Sequence, residues 1–312
     1  MYETADLRDG AIDALTALVE KGMDISVVVS DSTSTSKIGS FQKKYPDRVI
    51  NVGIAEQSLV GVAAGLALRG QVAFTANAAP FLLNRANEQV KNDVCYSQTN
   101  VKMLGLNPGV TYGPLGSTHH AIDDISIMSG FGNARIFAPC DRIEAEQIVH
   151  HAAMTEGPVY IRLDNAALPV VHDSNYQFVP GRPDILHKGE KVAVIALGSM
   201  VAEALTACDN LRKEGLNPTL VNLSSLRPLD EAAVVDILNA HQSVITVEEH
   251  SQHGGIGARI GILLAQNGLS RHFVMLGITA GEFACYGTRK GIRAHYRIDA
   301  KGIAETVREI IK

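Results

Sequence analysis

A chain of 312 residues with 46% hydrophobic, 20% charged and 5% aromatic residues has apolar surface enough for two ordinary cores, which excludes the disordered and fibrous classes. Its 28 basic and 33 acidic side chains leave a net charge of -5, so nucleic acid and anionic lipid are not expected partners. The opening MYETADLRDG lacks a basic start followed by an apolar run, and no stretch reaches the roughly 18 to 20 apolar residues of a membrane span; a cytoplasmic chain is expected.

Periodicity predicts a helix near 8–21, then a strand in ISVVVSD at 25–31 that runs into the Ser/Thr-rich patch SDSTSTS at 30–36. A helix from Ile54 follows, rich in alanine, glycine and leucine. Strands are predicted at 72–75, 101–106, 134–138 and 158–163, and helices near 81–96, 120–130 and 141–154. Between Asp164 and Glu190 the alternation fails, and Pro169, Pro180, Gly181, Pro183 and Gly189 accumulate as in a connector. The strand-like runs KVAVIALG, PTLVNL, SVITVEE and HFVML then alternate with helices such as 201–214 and 230–240. The reading is α/β, with two doubly wound domains: residues 1–168, a linker over 169–189, and a smaller domain over 190–312. Four separated cysteines without a CxxC pair suggest buried, reduced thiols and neither a zinc site nor a disulfide framework.

Several polar residues stand out, each with a structural alternative. Glu56 sits among small apolar neighbours, where a first helical turn favours an acid by a few tenths to about 1 kcal/mol. Asp31 ends a strand, as a cap or as a ligand at the carboxyl edge of a sheet. Phe81 is a core residue or a stacking ring. His119, His120, Asp123 and Asp124 carry imidazole and carboxylate atoms, but without a closing ligand set no metal site is assigned. Neither GVTYGPLG nor HGGIGAR satisfies GxGxxG at a strand-to-helix junction, which sets aside a nicotinamide enzyme.

The runs NVGIAEQ-x-x-x-G-x-A-x-G-x-A, FLLNRANEQV, GSTHHAIDDIS, IFAPCD and GPVYIRL, in that order, resemble the pyrimidine-binding domain of transketolases. VNLSSLRPLD, VEEHSQHGGIGARI and YRIDAKGIAE resemble the family's C-terminal domain, so the likeness runs nearly end to end. It implies thiamine diphosphate as cofactor, contacted by Asp31, Glu56, Phe81 and Arg85. In the family, the glutamate of the IAEQ motif shares a proton with N1' of the aminopyrimidine and favours the imino form that deprotonates the thiazolium carbon; Glu56 takes that place. His119 matches the histidine that binds the donor ketose, and Arg8, Thr35 and His120 fall where substrate contacts lie. Where an aromatic is common, this chain has Ala78.

Full-length members hold Mg2+ and the diphosphate through a GDG motif in a separate domain. This chain has no GDG. The resemblance therefore implies half an enzyme: a β-like subunit completed by an α-like partner carrying GDG, in an α2β2 assembly, with Mg2+ bound mainly by the partner. The implied reaction is transfer of a two-carbon ketol unit from a ketose to an aldose. A decarboxylating synthase or 2-oxo acid dehydrogenase subunit, and an inactive regulatory subunit, are the alternatives. Asn107 and Asn165 stand where histidine and arginine are common, and Leu115 where an aspartate reads an acceptor hydroxyl, which weakens the case for a phosphorylated acceptor.

Overall fold

Runs that stay apolar on both faces, such as ISVVV and VAFTANA, make strands that only a sheet covered on both sides accommodates. The computed structural model describes residues 2–311 and resolves into two units, Met1–Pro108 with Ile127–Phe178, and Gly109–Ser126 with Val179–Lys312. Among the described residues no helix is long and apolar enough to cross a membrane.

The first unit contains β1 (Thr4–Asp6), α1 (Leu7–Glu20), β2 (Ile25–Val29), α2 (Gly39–Lys44), β3 (Val49–Asn51), α3 (Glu56–Leu68), β4 (Val72–Ala78), β5 (Val101–Leu106), β6 (Arg135–Phe137), α4 (Arg142–Met154), β7 (Val159–Leu163) and β8 (Ala167–Pro169). Strands lie in the order β6-β7-β5-β4-β2-β3, all parallel. A short antiparallel pair, β1 with β8, stands apart. Lys102, fully buried on β5, donates to Asn100 Oδ1 and to the carbonyls of Thr155 and Gly157, each at 2.6 Å. Burial pushes its amine down to about 7.

The expected helix over 81–96 has an unexpected winding. Two π-helical stretches, Phe81–Arg85 and Val90–Tyr96, flank one α-turn at Asn87–Gln89. The cause is legible in the spacing: Leu82, Ala86, Val90 and Val94 are fully buried and each four residues apart. An ordinary α-helix rotates such a row by about 40° per step; wider turns hold it against the core. The helix expected from 120 begins at Asp124.

The second unit contains β9 (Asp184–His187), β10 (Val192–Ala196), α5 (Met200–Lys213), β11 (Thr219–Asn222), α6 (Glu231–Ala240), β12 (Ser243–Ser251), α7 (Ile256–Gln266), β13 (His272–Ile278), α8 (Arg289–His295) and α9 (Ala300–Ile311). Its strand order is β13-β12-β10-β11-β9, parallel except for β9, which runs antiparallel to β11. β9 lies within the Pro/Gly-rich stretch that reads as connector, where its four residues are too short to show a period. Cys95, Cys140 and Cys208 are buried and Cys285 is half-buried, none of them in a disulfide; burial pushes the Cys208 thiol up to about 12, which makes it unreactive.

Asp141 is a densely hydrogen-bonded carboxylate of the first unit. It caps α4, accepting Glu144 N–H on Oδ1 at 2.8 Å, while Oδ2 accepts the N–H groups of Val171 and His172 and His172 Nδ1, all at 2.9 Å. Burial alone would raise this carboxyl, but His172 and the backbone donors outweigh it and hold it below the ordinary value. A depressed acid stabilises the fold above its unfolded value near 3.8, and the contribution is lost as pH falls through the folded value. Asp141→Ala, which strands these donors, is expected to cost on the order of 3 kcal/mol in urea unfolding at pH 7. The difference from wild type should shrink below about pH 4.

Candidate active site

In an open parallel sheet, ligand crevices form outside the carboxyl ends of strands where the strand order reverses. The reversal here falls at β2, which has β3 on one side and β4 on the other. Asp31, Glu56 and Phe81 follow the carboxyl ends of β2, β3 and β4 respectively. Ser30 and Asn51 lock two of these turns together. Ser30 Oγ donates to Gly53 O at 2.7 Å and accepts Ala55 N–H at 3.0 Å, and Asn51 Oδ1 accepts the N–H groups of Asp31 and Gly53, both at 3.0 Å. Asp31 has φ of 52°, a left-handed conformation that short polar side chains tolerate.

Glu56 is the first residue of α3, after an Ala55 that supplies no side-chain cap. The helix end favours its charge, but the residue is only 4% exposed and pairs through Oε2 with Arg85 Nη1 at 2.9 Å. The Arg85 side chain is 52% exposed, and its guanidinium lies 4.8 Å from the centre of the Phe81 ring. Glu56, Phe81 and Arg85 therefore form one cluster, which the wide π-turn between the last two assembles. Near the carboxyl ends of β4 and β5, Asn77 Nδ2 and Asn107 Oδ1 are buried with no hydrogen-bond partner among the described residues. A buried carboxyl, an aromatic face and unmatched polar atoms are what a flat, apolar ring edged with nitrogens needs, so the residues fit an aminopyrimidine.

Arg8 and Thr35 also meet, through the Thr35 carbonyl: Arg8 Nη1 donates to it at 2.8 Å. The remaining guanidinium edges are engaged by Asp6, with Nε to Oδ1 at 3.0 Å and Nη2 to Oδ2 at 2.6 Å, and by Asn165 O at 3.2 Å. Lys37 reaches Asp6 at 3.0 Å and Asp9 at 2.9 Å. Burial would raise the Asp6 carboxyl, but hydrogen bonds from Arg8 and Lys37 prevail and hold it low and ionised. Beside this network lies an open depression of about 730 Å³ lined in part by Asp9, Asp31, Thr33, Ser34, Lys37 and Ser40.

His119 and His120 belong to the second unit. The half-buried His119 bonds through Nδ1 with Thr118 Oγ1 at 2.9 Å and meets the Tyr112 ring edge-on at 5.8 Å. His120 is buried, and its Nε2 donates to Gly113 O at 3.0 Å. That bond fixes the neutral tautomer, and burial lowers the ring's pKa. The glycines of HGGIGAR have a packing cause: Glu248 on β12 accepts the N–H groups of Ile256 and Gly257 at 2.9 Å, capping α7, and a Cβ on Gly255 would collide with its carboxylate. Among the described residues one cluster offers metal-type ligands, Cys140 with Asp141 and His172, but Asp141 Oδ2 already accepts three N–H donors there, including His172 Nδ1.

The pattern described as transketolase, pyrimidine binding domain, matches residues 3–170, and that of the transketolase C-terminal domain matches residues 181–303. The chain belongs to the transketolase family. It is 51% identical over 305 residues, 98% of both chains, to one of the subunits of an apulose-4-phosphate transketolase from Actinobacillus succinogenes. To the corresponding apulose-4-phosphate transketolase subunit from Phocaeicola vulgatus it is 37% identical, over 98% of this chain and 97% of that one. Its fold superposes with a TM-score of 0.87 on a split gene transketolase solved as an inactive β4 tetramer, at 33% identity over 99% of this chain and 98% of that one. This is a subunit of a split transketolase, a transferase whose domains imply dependence on thiamine diphosphate. The decarboxylating and regulatory alternatives are not favoured by these relatives.

Sequence reading missed Asp6, whose two carboxylate oxygens engage the Arg8 guanidinium through Nε and Nη2; an acid two residues before an arginine is too common to flag. In the assembled transketolase, Asp6→Asn is expected to lower KM for a phosphorylated substrate severalfold with kcat little changed, because it frees one edge of Arg8. Steady-state kinetics on phosphorylated and free sugars check this, and an unchanged KM for both would remove Arg8 from phosphate recognition.

Proposed function

We propose that this subunit supplies the pyrimidine-side half of a thiamine diphosphate site that moves a two-carbon ketol unit from a phosphorylated ketose to an aldehyde acceptor. Apulose 4-phosphate, named in the relatives at 51% and 37% identity, is the first donor to test. The observation that carries the reading is Glu56: a carboxyl buried at a helix start, paired on one oxygen by Arg85 and close to an aromatic ring.

When bound, thiamine diphosphate would supply the nucleophilic carbon for ketol transfer. Glu56 holds a proton at the pyrimidine nitrogen, in a setting dry enough to strengthen that hydrogen bond. Arg85 orients the carboxyl, Phe81 presents its ring to the pyrimidine face, and Asp31 contacts the cofactor from the neighbouring turn. His119 donates to the donor ketose. His120, pinned to Gly113, keeps the turn beneath it in shape, and Arg8 and Thr35 lie toward the substrate's anionic end.

Mg2+ and the diphosphate fall to an α-like partner carrying GDG, in an α2β2 assembly located in the cytoplasm. The absence of GDG from this sequence supports that division. So does the outer face of α3, where Leu68 is 75% exposed and Gly61 and Gly65 have open space above them, with Ile54, 78% exposed, in the turn just before the helix, a surface shaped for close helix approach.

Glu56→Gln keeps the shape and removes the exchangeable proton. It is expected to leave the assembly intact by size-exclusion chromatography while slowing deuterium exchange at the thiazolium carbon and lowering kcat by about 10²- to 10⁴-fold. Exchange at the wild-type rate would take Glu56 out of the chemistry.

A further inference from the structure

The run from Gly109 to Ala121 is closed at its ends by two hydrogen bonds, Gly109 N–H to Ala121 O at 3.0 Å and Ala121 N–H to Gly109 O at 2.8 Å. His119 and His120 stand immediately before that closing stem. The other side of the stem rests on Glu249, a fully buried residue of β12 whose Oε1 accepts Val110 N–H at 2.8 Å. Gly109 has φ of 62°, and a Cβ there would lie 2.7 Å from both the carbonyl oxygen and Oε1 of Glu249. The loop thus begins pressed directly against this one carboxylate.

The carboxylate is itself immobilised. Arg289 donates Nε to Oε1 at 3.0 Å and Nη2 to Oε2 at 3.1 Å, and Arg293 donates Nε to Oε2 at 2.5 Å. Both guanidinium groups reach Ser199 Oγ, at 3.2 and 3.1 Å, and Arg293 also pairs with Glu203 at 3.1 Å. The segment before α8 braces the same loop: Ser117 Oγ donates to Ala284 O at 3.0 Å, Gly116 lies under the Tyr286 ring, and Gly113, with φ of 39°, abuts Gly287 O and Arg289 N. Fork-like guanidinium pairing fixes a carboxylate in direction as well as in place.

We propose that Glu249 is a positioning residue of the transfer reaction: through Val110 N–H and Gly109 it sets where the His119 imidazole meets the substrate, and Arg289 and Arg293 hold it still. This rests on the reading above that His119 contacts the donor ketose. It gives the C-terminal domain, whose residues supply the whole clamp, a task in catalysis. A displacement of about 1 Å in a positioned group can cost 10²-fold in rate.

The test uses Glu249→Gln and, because loss of a charge between two arginines can prevent folding, Gly109→Ala, which leaves every charged group in place but intrudes on the seat. Each is assembled with the partner subunit and thiamine diphosphate. The expected result is a 10- to 100-fold fall in kcat/KM for the ketose donor, most of it in KM, with deuterium exchange at the thiazolium carbon unchanged and, for Gly109→Ala, the fraction of assembled enzyme unchanged. Equal losses in exchange and transfer, tracking the folded fraction, would make the clamp a structural support only and overturn the proposal; so would wild-type kcat/KM in both variants. If the wild-type assembly transfers no ketol unit, the functional reading fails on its own. The clamp is then judged by histidine-labelled NMR of the chain, where unmoved His119 ring signals in Gly109→Ala overturn it and displaced ones support it.

Discussion

A carboxylate removed from water must be surrounded by donors, and this protein solves that requirement repeatedly at the ends of its helices and strands. Asp141 and Glu248 are held by the N–H groups of helix starts, Glu249 by one loop amide and two guanidinium groups, and Glu56 by Arg85 at the first turn of α3. Breaking one partner leaves an uncompensated charge or a stranded donor, so each of these acids ties together the segments that supply its donors. The parallel sheets account for the placement, because they deliver strand ends and helix beginnings to the same edge.

The four acids do different work. Asp141 meets only backbone amides and His172, and its donors are local to α4 and the 171–172 segment; its role is to hold the chain. Glu56 differs in being paired by an arginine that is half in solvent and that also lies over Phe81. A carboxyl with one oxygen held from the open side, among small apolar residues, is arranged for a planar ligand. Glu249 lies between these cases. Its partners are buried or half-buried, but what it holds is the loop that carries His119, so a structural network acquires a functional load.

Much of this was legible in the sequence. Apolar runs at 25–29, 101–106, 192–196 and 243–251 located the principal strands, and IAEQ followed by small residues located α3 and Glu56. Periodicity missed the π-helical winding because a four-residue repeat reads as an imperfect α-helix, and it missed β1, β3, β8 and β9 because these short strands are mostly exposed or half-buried and lack the apolar run that marks the equally short β6 and β11. The short HGGIGAR run showed its glycines but not their reason, since Glu248 lies on the preceding strand and faces α7. The pair of acids in VEEH was the available signal for the clamp. Two charges inside an apolar strand need partners, yet Arg289 and Arg293 lie some forty residues on, beyond what local pattern can link.

The central claim is that this chain presents an acid to a coenzyme whose metal and diphosphate are gripped by another polypeptide. Calorimetric titration of thiamine diphosphate with Mg2+ into this chain, into the GDG-bearing partner and into their mixture tests it most directly. The account predicts tight, magnesium-dependent binding by the mixture and weak binding by this chain alone. Tight magnesium-dependent binding by the isolated chain, unchanged when the partner is added, would contradict it.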